Sequence, residues 1–204
     1  LNAYSPHRIF HEVIDVYKQG NYIVHELKEK PNFKEGDVVK GNIDIDKRKQ
    51  LTQHHTATHI INGVAREVLG NHINQAGAKK TKEKAHLDLT HYQSLTEEEV
   101  EEIEKKSNEI VKKGLDVKSE FLSREKAEKK YGMRIYQGGA VPGKMIRIIA
   151  IDDLDIEACG GTHLKNTKEA EEIKIIGTTK IQDGVVRIEY KVGDAAKQEE
   201  KELE

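Results

Sequence analysis

Two short motifs in this 204-residue chain carry side chains able to ligate a metal ion: His55-Thr56-Ala57-Thr58-His59 and Cys159-Gly160-Gly161-Thr162-His163. On a helix, residues four apart share a face, so both imidazoles of the first motif can reach one ion. The spacing alone proves little, because among 10 histidines such a pair arises by chance about as often as not. His7 and His11 form a second pair of this kind, but they lead into a strand pattern. There four residues span about 13 Å and two ligands cannot converge, so that pair is read as structural. The second motif is sharper. Cys159 is the only cysteine, and chance supplies a histidine four positions beyond it about one time in twenty. Gly160 and Gly161 let the backbone fold tightly enough to turn thiolate and imidazole towards one point. Together the four residues form a borderline-soft nitrogen and sulfur set that suits Zn²⁺ ahead of Mg²⁺ or Ca²⁺. Such a site is either a closed structural staple or a catalytic centre; a chain long enough to bury a full core has no need of a staple.

Other chemistries fail by residue. A zincin protease needs Glu beside the first histidine, where Thr56 stands. A zinc deaminase needs HxE with PCxxC, and neither occurs. The acidic run Glu97 to Glu104 reads as a solvated helix face. Lys79, Lys80, Lys82 and Lys84 form a basic run, interrupted by Glu83, that is either plain solvation or a phosphate contact near the metal.

The elements that position these residues follow from periodicity. Apolar residues Ala57, Ile60, Ile61, Val64 and Val68 recur at helical spacing, predicting a helix from about Thr52 to Leu69 that Gly70 stops. Before it, VIDVY (13–17) and YIVHEL (22–27) flank a turn-like segment, and alternation over Asp37 to Asp46 predicts a third strand. After it, His72 to Gln75 and Ala85 to Tyr92 read as strands joined by a loop from Gly77 to Lys84. Thr96 with Glu99 forms a capping box opening a helix that Gly114 ends. Leu115 to Phe121 is a strand, and Ser123 to Tyr131 a short helix. MIRIIAI (145–151), IKII (173–176) and the alternation from Val186 to Val192 are strands, and the tail from Asp194 is helical. Strands and helices segregate without a βαβ rhythm, so the class is α+β. The reading divides the chain into a small antiparallel barrel-like or sheet subdomain at 1–50, an α+β domain with a mixed, largely antiparallel sheet at 51–193, and the start of a helical linker at 194–204.

Composition bounds the rest. Charged residues reach 34%, but 34 Lys+Arg against 36 Asp+Glu leave a net charge of −2, which excludes a histone-like binder and leaves a local basic patch open. No apolar run reaches membrane-spanning length, no secretory signal opens the chain, and the single cysteine fits a reducing compartment. The start at Leu1 rather than Met is the expected mark of an excised piece.

HHTATHIINGVAREVLG, then NQAGAKKTKEKAHLDLTHY, then CGGTHLKNT closely resemble, in this order, the editing domain of alanyl-tRNA synthetases of archaeal type. The likeness covers residues 13 to 193. Freestanding AlaX-type proteins and threonyl-tRNA synthetase editing domains share the HxxxH…CxxxH layout, while HLDLTHY and the tail after Gly193 favour the synthetase. The resemblance implies a cytoplasmic ligase whose dimerising coiled-coil domain follows this segment, and whose aminoacylation and tRNA-binding domains precede it. A glycine-rich FYPxGGGQ-like segment of the family is replaced by LNAYSPHRIFH, so either the chain starts after it or the barrel is incomplete.

What the resemblance implies chemically is hydrolysis of mischarged Ser-tRNA(Ala) and Gly-tRNA(Ala), with His55, His59, Cys159 and His163 as Zn²⁺ ligands. Zinc serves this by lowering the pKa of a bound water to about 7 or by orienting the substrate, with no protein base assigned. Four protein ligands are one more than an open catalytic site wants. Gln75 matches the family's QxG glutamine and is expected to touch the aminoacyl group; Thr56 and Thr162 are geometric candidates for the serine hydroxyl. Lys79, Lys80, Lys82 and Lys84 are expected to guide the acceptor end of tRNA(Ala). The competing functions are a freestanding AlaX-type or threonyl-tRNA deacylase, and a non-catalytic zinc-stabilised RNA-binding module.

Overall fold

A computed structural model describes residues 10–139 and 141–203. Contacts divide the chain into two compact units meeting in sequence at Asn42/Ile43, against the boundary near 50 drawn from the sequence. In the first unit, β1 (Val13–Gln19) and β2 (Tyr22–Leu27) form an antiparallel hairpin through Gly20, whose φ of 61° suits glycine. This two-stranded sheet is open, and Val13, Val16, Tyr17, Tyr22 and Ile23 are exposed on it.

The third strand expected over Asp37 to Asp46 does not form. Val39, Ile43 and Ile45 of that alternation are exposed, so it has no sheet face to bury. The chain instead turns helical early, because Asp44 accepts the Lys47 N–H at 2.9 Å as an N-cap. Helix α1 therefore runs over Ile45–Leu69, seven residues longer at its start than the apolar stripe indicated.

The second unit is built around α1, which is buried almost all round from Gln50 to Ala65. On one side lies a four-stranded sheet in the order β3-β4-β9-β8, formed by β3 (Gln75–Lys80), β4 (Ala85–Thr90), β8 (Ile173–Gln182) and β9 (Val185–Val192). Ala57, Ile60, Ile61 and Val64 of the helix share its core with Leu87, Leu89, Ile188, Tyr190 and Val192. Helix α2 (Glu97–Lys113), opened by the expected Thr96/Glu99 capping box, adds Ile103 and Val111 to that core. A second sheet, β5-β6-β7, comprises β5 (Val117–Ser123), β6 (Met145–Ile151) and β7 (Asp155–Ala158). One of its faces, with Ile146, Ile148 and Ala158, packs on Ala127 of α3 (Arg124–Tyr131) and on Ile135. The other face turns towards α1. Helix α4 (Asp194–Leu203) closes the described chain. Every strand pairing among the described residues is antiparallel, and the class is α+β, as the sequence indicated. Among the described residues no helix is long and apolar enough to cross a membrane.

Candidate metal centre

The helix and the second sheet meet as two ladders of polar groups. His55, His59, Asn62 and Arg66 lie at four-, three- and four-residue steps along one face of α1. Opposite them, Asp155 and Glu157 stand on one face of β7, and the same two-residue alternation continues to Cys159. Gly63 permits the close approach, since a Cβ there would sit 2.7 Å from Leu154 Cγ and 2.8 Å from its carbonyl oxygen.

At one end the four expected ligands converge. Ligand atoms of His55, His59, Cys159 and His163 all lie within 4.8 Å of one another. Cys159 Sγ is 3.4 Å from His55 Nε2 and 3.3 Å from His163 Nε2. Gly161 is required by this convergence, because a Cβ on it would fall 1.9 Å from His55 Cε1. Arg147, unremarked in the sequence, holds the ligand loop: it donates to Gly161 O at 2.6 Å and to Cys159 O at 3.3 Å, and its own carbonyl accepts the Cys159 N–H at 3.0 Å.

Next to the cluster lie two carboxylates that sequence reasoning missed. Asp155 Oδ2 accepts from His59 Nδ1 at 2.9 Å, and Glu157 Oε2 is 3.6 Å from His59 Nε2. Asn62 Nδ2 donates to Glu157 Oε1 at 2.8 Å. Burial raises the Cys159 thiol, but hydrogen bonds to His163, His55 and His59 outweigh it and bring the group down to about 3. Burial lowers His163 to about 4 and lowers His55 as well, so both imidazoles are neutral, the form that ligates. At His59 burial also works against the charge, yet Glu157 and Asp155 raise it well above the ordinary value. Burial pushes the Glu157 carboxyl up to about 8 against the lowering pull of His59, so the thiolate of Cys159 and the acid pair beside His59 share positive charge among three imidazoles, and that donor set fits Zn²⁺.

The other expected site residues fall in different places. Thr56 is fully buried; its hydroxyl accepts the Leu164 N–H at 3.0 Å and lies 3.3 Å from His163 Nδ1. Thr162 is exposed. Gln75 opens β3 and is half-buried; its backbone meets Gln137 and Gly138, and a Cβ on Gly138 would fall 2.7 Å from Gln75 Nε2. The lysine run is split. Lys79 and Lys80 belong to β3 rather than to a loop, and only Lys82 and Lys84 occupy the hairpin connection. Lys84 pairs with Glu189 at 2.8 Å. Lys80 is half-buried on the side of Ala78, which packs on the core; burial lowers its ammonium pKa against the opposing pull of Cys159 and Glu157. Of the second histidine pair, His11 is bonded to Asn32 at 2.8 Å, and His7 lies outside the described residues.

Residues 146–189, which span β6 to β9 and include the Cys159–His163 loop, match the family described as "Threonyl and Alanyl tRNA synthetase second additional domain". The chain is 50% identical over 182 residues, 89% of its length, to an alanine--tRNA ligase of Methanococcus maripaludis, covering 20% of that protein. It is 52% identical over 185 residues (91% of the chain, 21% of the relative) to the alanine--tRNA ligase of Methanocella arvoryzae. For that of Sulfurisphaera tokodaii the figures are 48% over 197 residues, 95% of the chain and 22% of the relative. The chain thus spans about one fifth of the length of the curated relatives it matches.

Proposed function

We propose that this chain, homologous to the segment of archaeal alanine--tRNA ligases that carries the second additional domain, edits mischarged tRNA. It hydrolyses the ester bond of Ser-tRNA(Ala) and Gly-tRNA(Ala) as part of a longer cytoplasmic, dimeric ligase. The need is physical: serine exceeds alanine by a hydroxyl and glycine lacks a methyl, differences that a small pocket separates only modestly. The observation that carries the reading is the convergence of His55, His59, Cys159 and His163 from two segments 104 residues apart.

These four residues would hold Zn²⁺, which when bound supplies a Lewis acid that lowers the pKa of water or polarises an ester carbonyl. Glu157, its Oε1 held by Asn62 and its carboxyl pushed by burial up to about 8, would be the residue that exchanges a proton at Oε2 beside the cluster. Arg147 keeps the ligand loop closed on the cluster. Gln75 offers its amide to the aminoacyl group, Thr162 offers the exposed hydroxyl of the ligand loop, and Lys79 and Lys82, both exposed, receive acceptor-end phosphates of tRNA(Ala). Lys80 supplies a cation on the inner side of β3, and Lys84 contributes least because it is already paired.

One observation favours a second reading. Four protein donors can fill a tetrahedral ion, as in a structural site, which would leave an RNA-binding module without turnover. Incubation with Ser-tRNA(Ala), Gly-tRNA(Ala) and Ala-tRNA(Ala), with and without a chelator, separates the two. Editing requires hydrolysis of the first two, sparing of the third, and loss of activity on metal removal with recovery on adding Zn²⁺. Hydrolysis indifferent to chelation would sink the zinc mechanism, and tRNA binding without hydrolysis would establish the second reading.

A further inference from the structure

We infer that Asp155, anchored by Arg66, is the positioning residue of the metal centre: it fixes the ring of His59 so that Nε2 is the nitrogen offered to the ion. The inference rests on the zinc reading above and extends it to residues outside the ligand set. Asp155 is 3% exposed and its two oxygens face in different directions. Oδ2 accepts from His59 Nδ1 at 2.9 Å, and Oδ1 accepts from Arg66 Nη1 at 3.3 Å. Arg66 is fixed in turn, since its Nε donates to Ile73 O at 3.3 Å. The chain of contacts runs from a backbone carbonyl just before β3, through a guanidinium and a carboxylate, to the Nδ1 of one ligand.

The consequence is a choice of tautomer. A histidine has two nitrogens, and the proton held by one decides which lone pair the other presents. When an ion displaces the proton from Nε2, the Nδ1–H stays committed to Asp155 and the lone pair of His59 is the one on Nε2; the ring centre of His163 lies 4.6 Å from that of His59. Glu157 also approaches Nε2, at 3.6 Å. Without Asp155 the ring stands beside a single carboxylate and is free to turn over towards it. Carboxylates that orient a ligand histidine change metal affinity about 10- to 100-fold. The spacing of the helix residues serves the same end. His59 and Arg66 are seven apart on α1, two helical turns, so both reach one aspartate on β7.

The test uses the 204-residue chain, titrated with Zn²⁺ against a chromophoric chelator and with Co²⁺ as a spectroscopic probe. Asp155→Ala is expected to weaken Zn²⁺ binding about 10- to 100-fold and to alter the Co²⁺ ligand-field spectrum. Asp155→Asn retains an acceptor for Nδ1–H, so it should restore the Co²⁺ spectrum while binding Zn²⁺ less tightly than the parent. Asp88→Ala, which breaks the ion pair with Arg187 between β4 and β9, should lower stability and leave both metal readouts unchanged. Parent-like affinity and spectrum in Asp155→Ala overturn the inference, as does an Asn variant no better than Ala. Should Asp155→Ala fail to fold, Arg66→Met replaces it, with a smaller loss of Zn²⁺ affinity expected and an unchanged affinity counting against the anchor. A parent chain that binds neither ion would instead remove the zinc reading itself.

Discussion

Gly160 and Gly161 are neighbours of the same type, yet the structure assigns them opposite sensitivities. A Cβ at Gly161 would lie 1.9 Å from His55 Cε1 and 2.3 Å from Nδ1, whereas one at Gly160 meets nothing within 4 Å. To regain an ordinary contact of at least 3.4 Å, the His55 ring must move by about 1.5 Å. Zinc–nitrogen bonds tolerate departures of only about 0.2 Å, so the displaced ring cannot stay a ligand. Gly161→Ala should therefore weaken Zn²⁺ binding by more than the roughly 100-fold upper range of an orienting residue. Stability of the metal-free protein should change little, because the atoms in conflict belong to the far end of a side chain that can swing outward. Gly160→Ala should match the parent in both respects. Chelator competition gives the affinity, and thermal melts with and without chelator separate the metal's contribution from that of the fold. Parent-like zinc affinity in Gly161→Ala, or equal damage from Gly160→Ala, would refute the assignment of His55 to the cluster.

Three further outcomes are expected. Arg187 holds Asp88 through two bonds of 2.7 and 2.9 Å between β4 and β9, so Asp88→Ala should cost about 1.5–3 kcal/mol in urea denaturation. Lys197 and Lys49 hold the Glu171 carboxyl below its ordinary 4.5; a lowered folded-state pKa stabilises above that value and the contribution is lost as pH falls through it, so Glu171→Gln should flatten the acid limb of a stability–pH curve below about pH 4.5. Lys79→Ala and Lys82→Ala should each raise KM for mischarged tRNA, leave kcat nearly intact and reduce the log–log salt slope of binding by nearly one unit; unchanged kcat/KM across salt concentrations in the double variant would reduce both to solvation.

What the sequence revealed and what it concealed divide along the range of the interactions. CGGTH names its own candidates because it holds the chain's only cysteine, and HTATH, unremarkable by spacing alone, gains weight beside it; both spacings are local. The Thr96/Glu99 box and the Gly114 stop are local too, and both stand in the structure. Asp155 and Glu157 were missed because two acids in a charge-rich chain look like surface. Their burial arises only when β7 docks against α1. A signal was nevertheless present: His55, His59, Asn62 and Arg66 form a polar stripe at helical spacing beside the apolar residues of α1, and such a stripe, once buried, must find partners. The alternation of Asp155, Glu157 and Cys159 matches it at strand spacing. The false strand over Asp37 to Asp46 shows the converse, since alternation without a sheet to join yields an irregular, exposed segment that the Asp44 cap ends. The lysine run misled by composition, because Thr81 and Lys84 close the hairpin between themselves and leave Lys79 and Lys80 in the strand.

The placement of α1 between two sheets also sets an order of events during folding. Its own sheet pairs β4 with β9, Asp88 opposite Arg187 at a separation of 99 residues, and its polar stripe waits for Cys159, 104 residues beyond His55. Contacts so distant in sequence form late and slowly, after the entropy of closing long loops has been met. The donor cluster, which needs the segment after β7 against α1, is therefore expected to assemble with the docking of β5, β6 and β7. Appearance of Co²⁺ absorption after a refolding jump would clock that docking directly, separately from the growth of helical signal, which α1 and α2 can begin on their own.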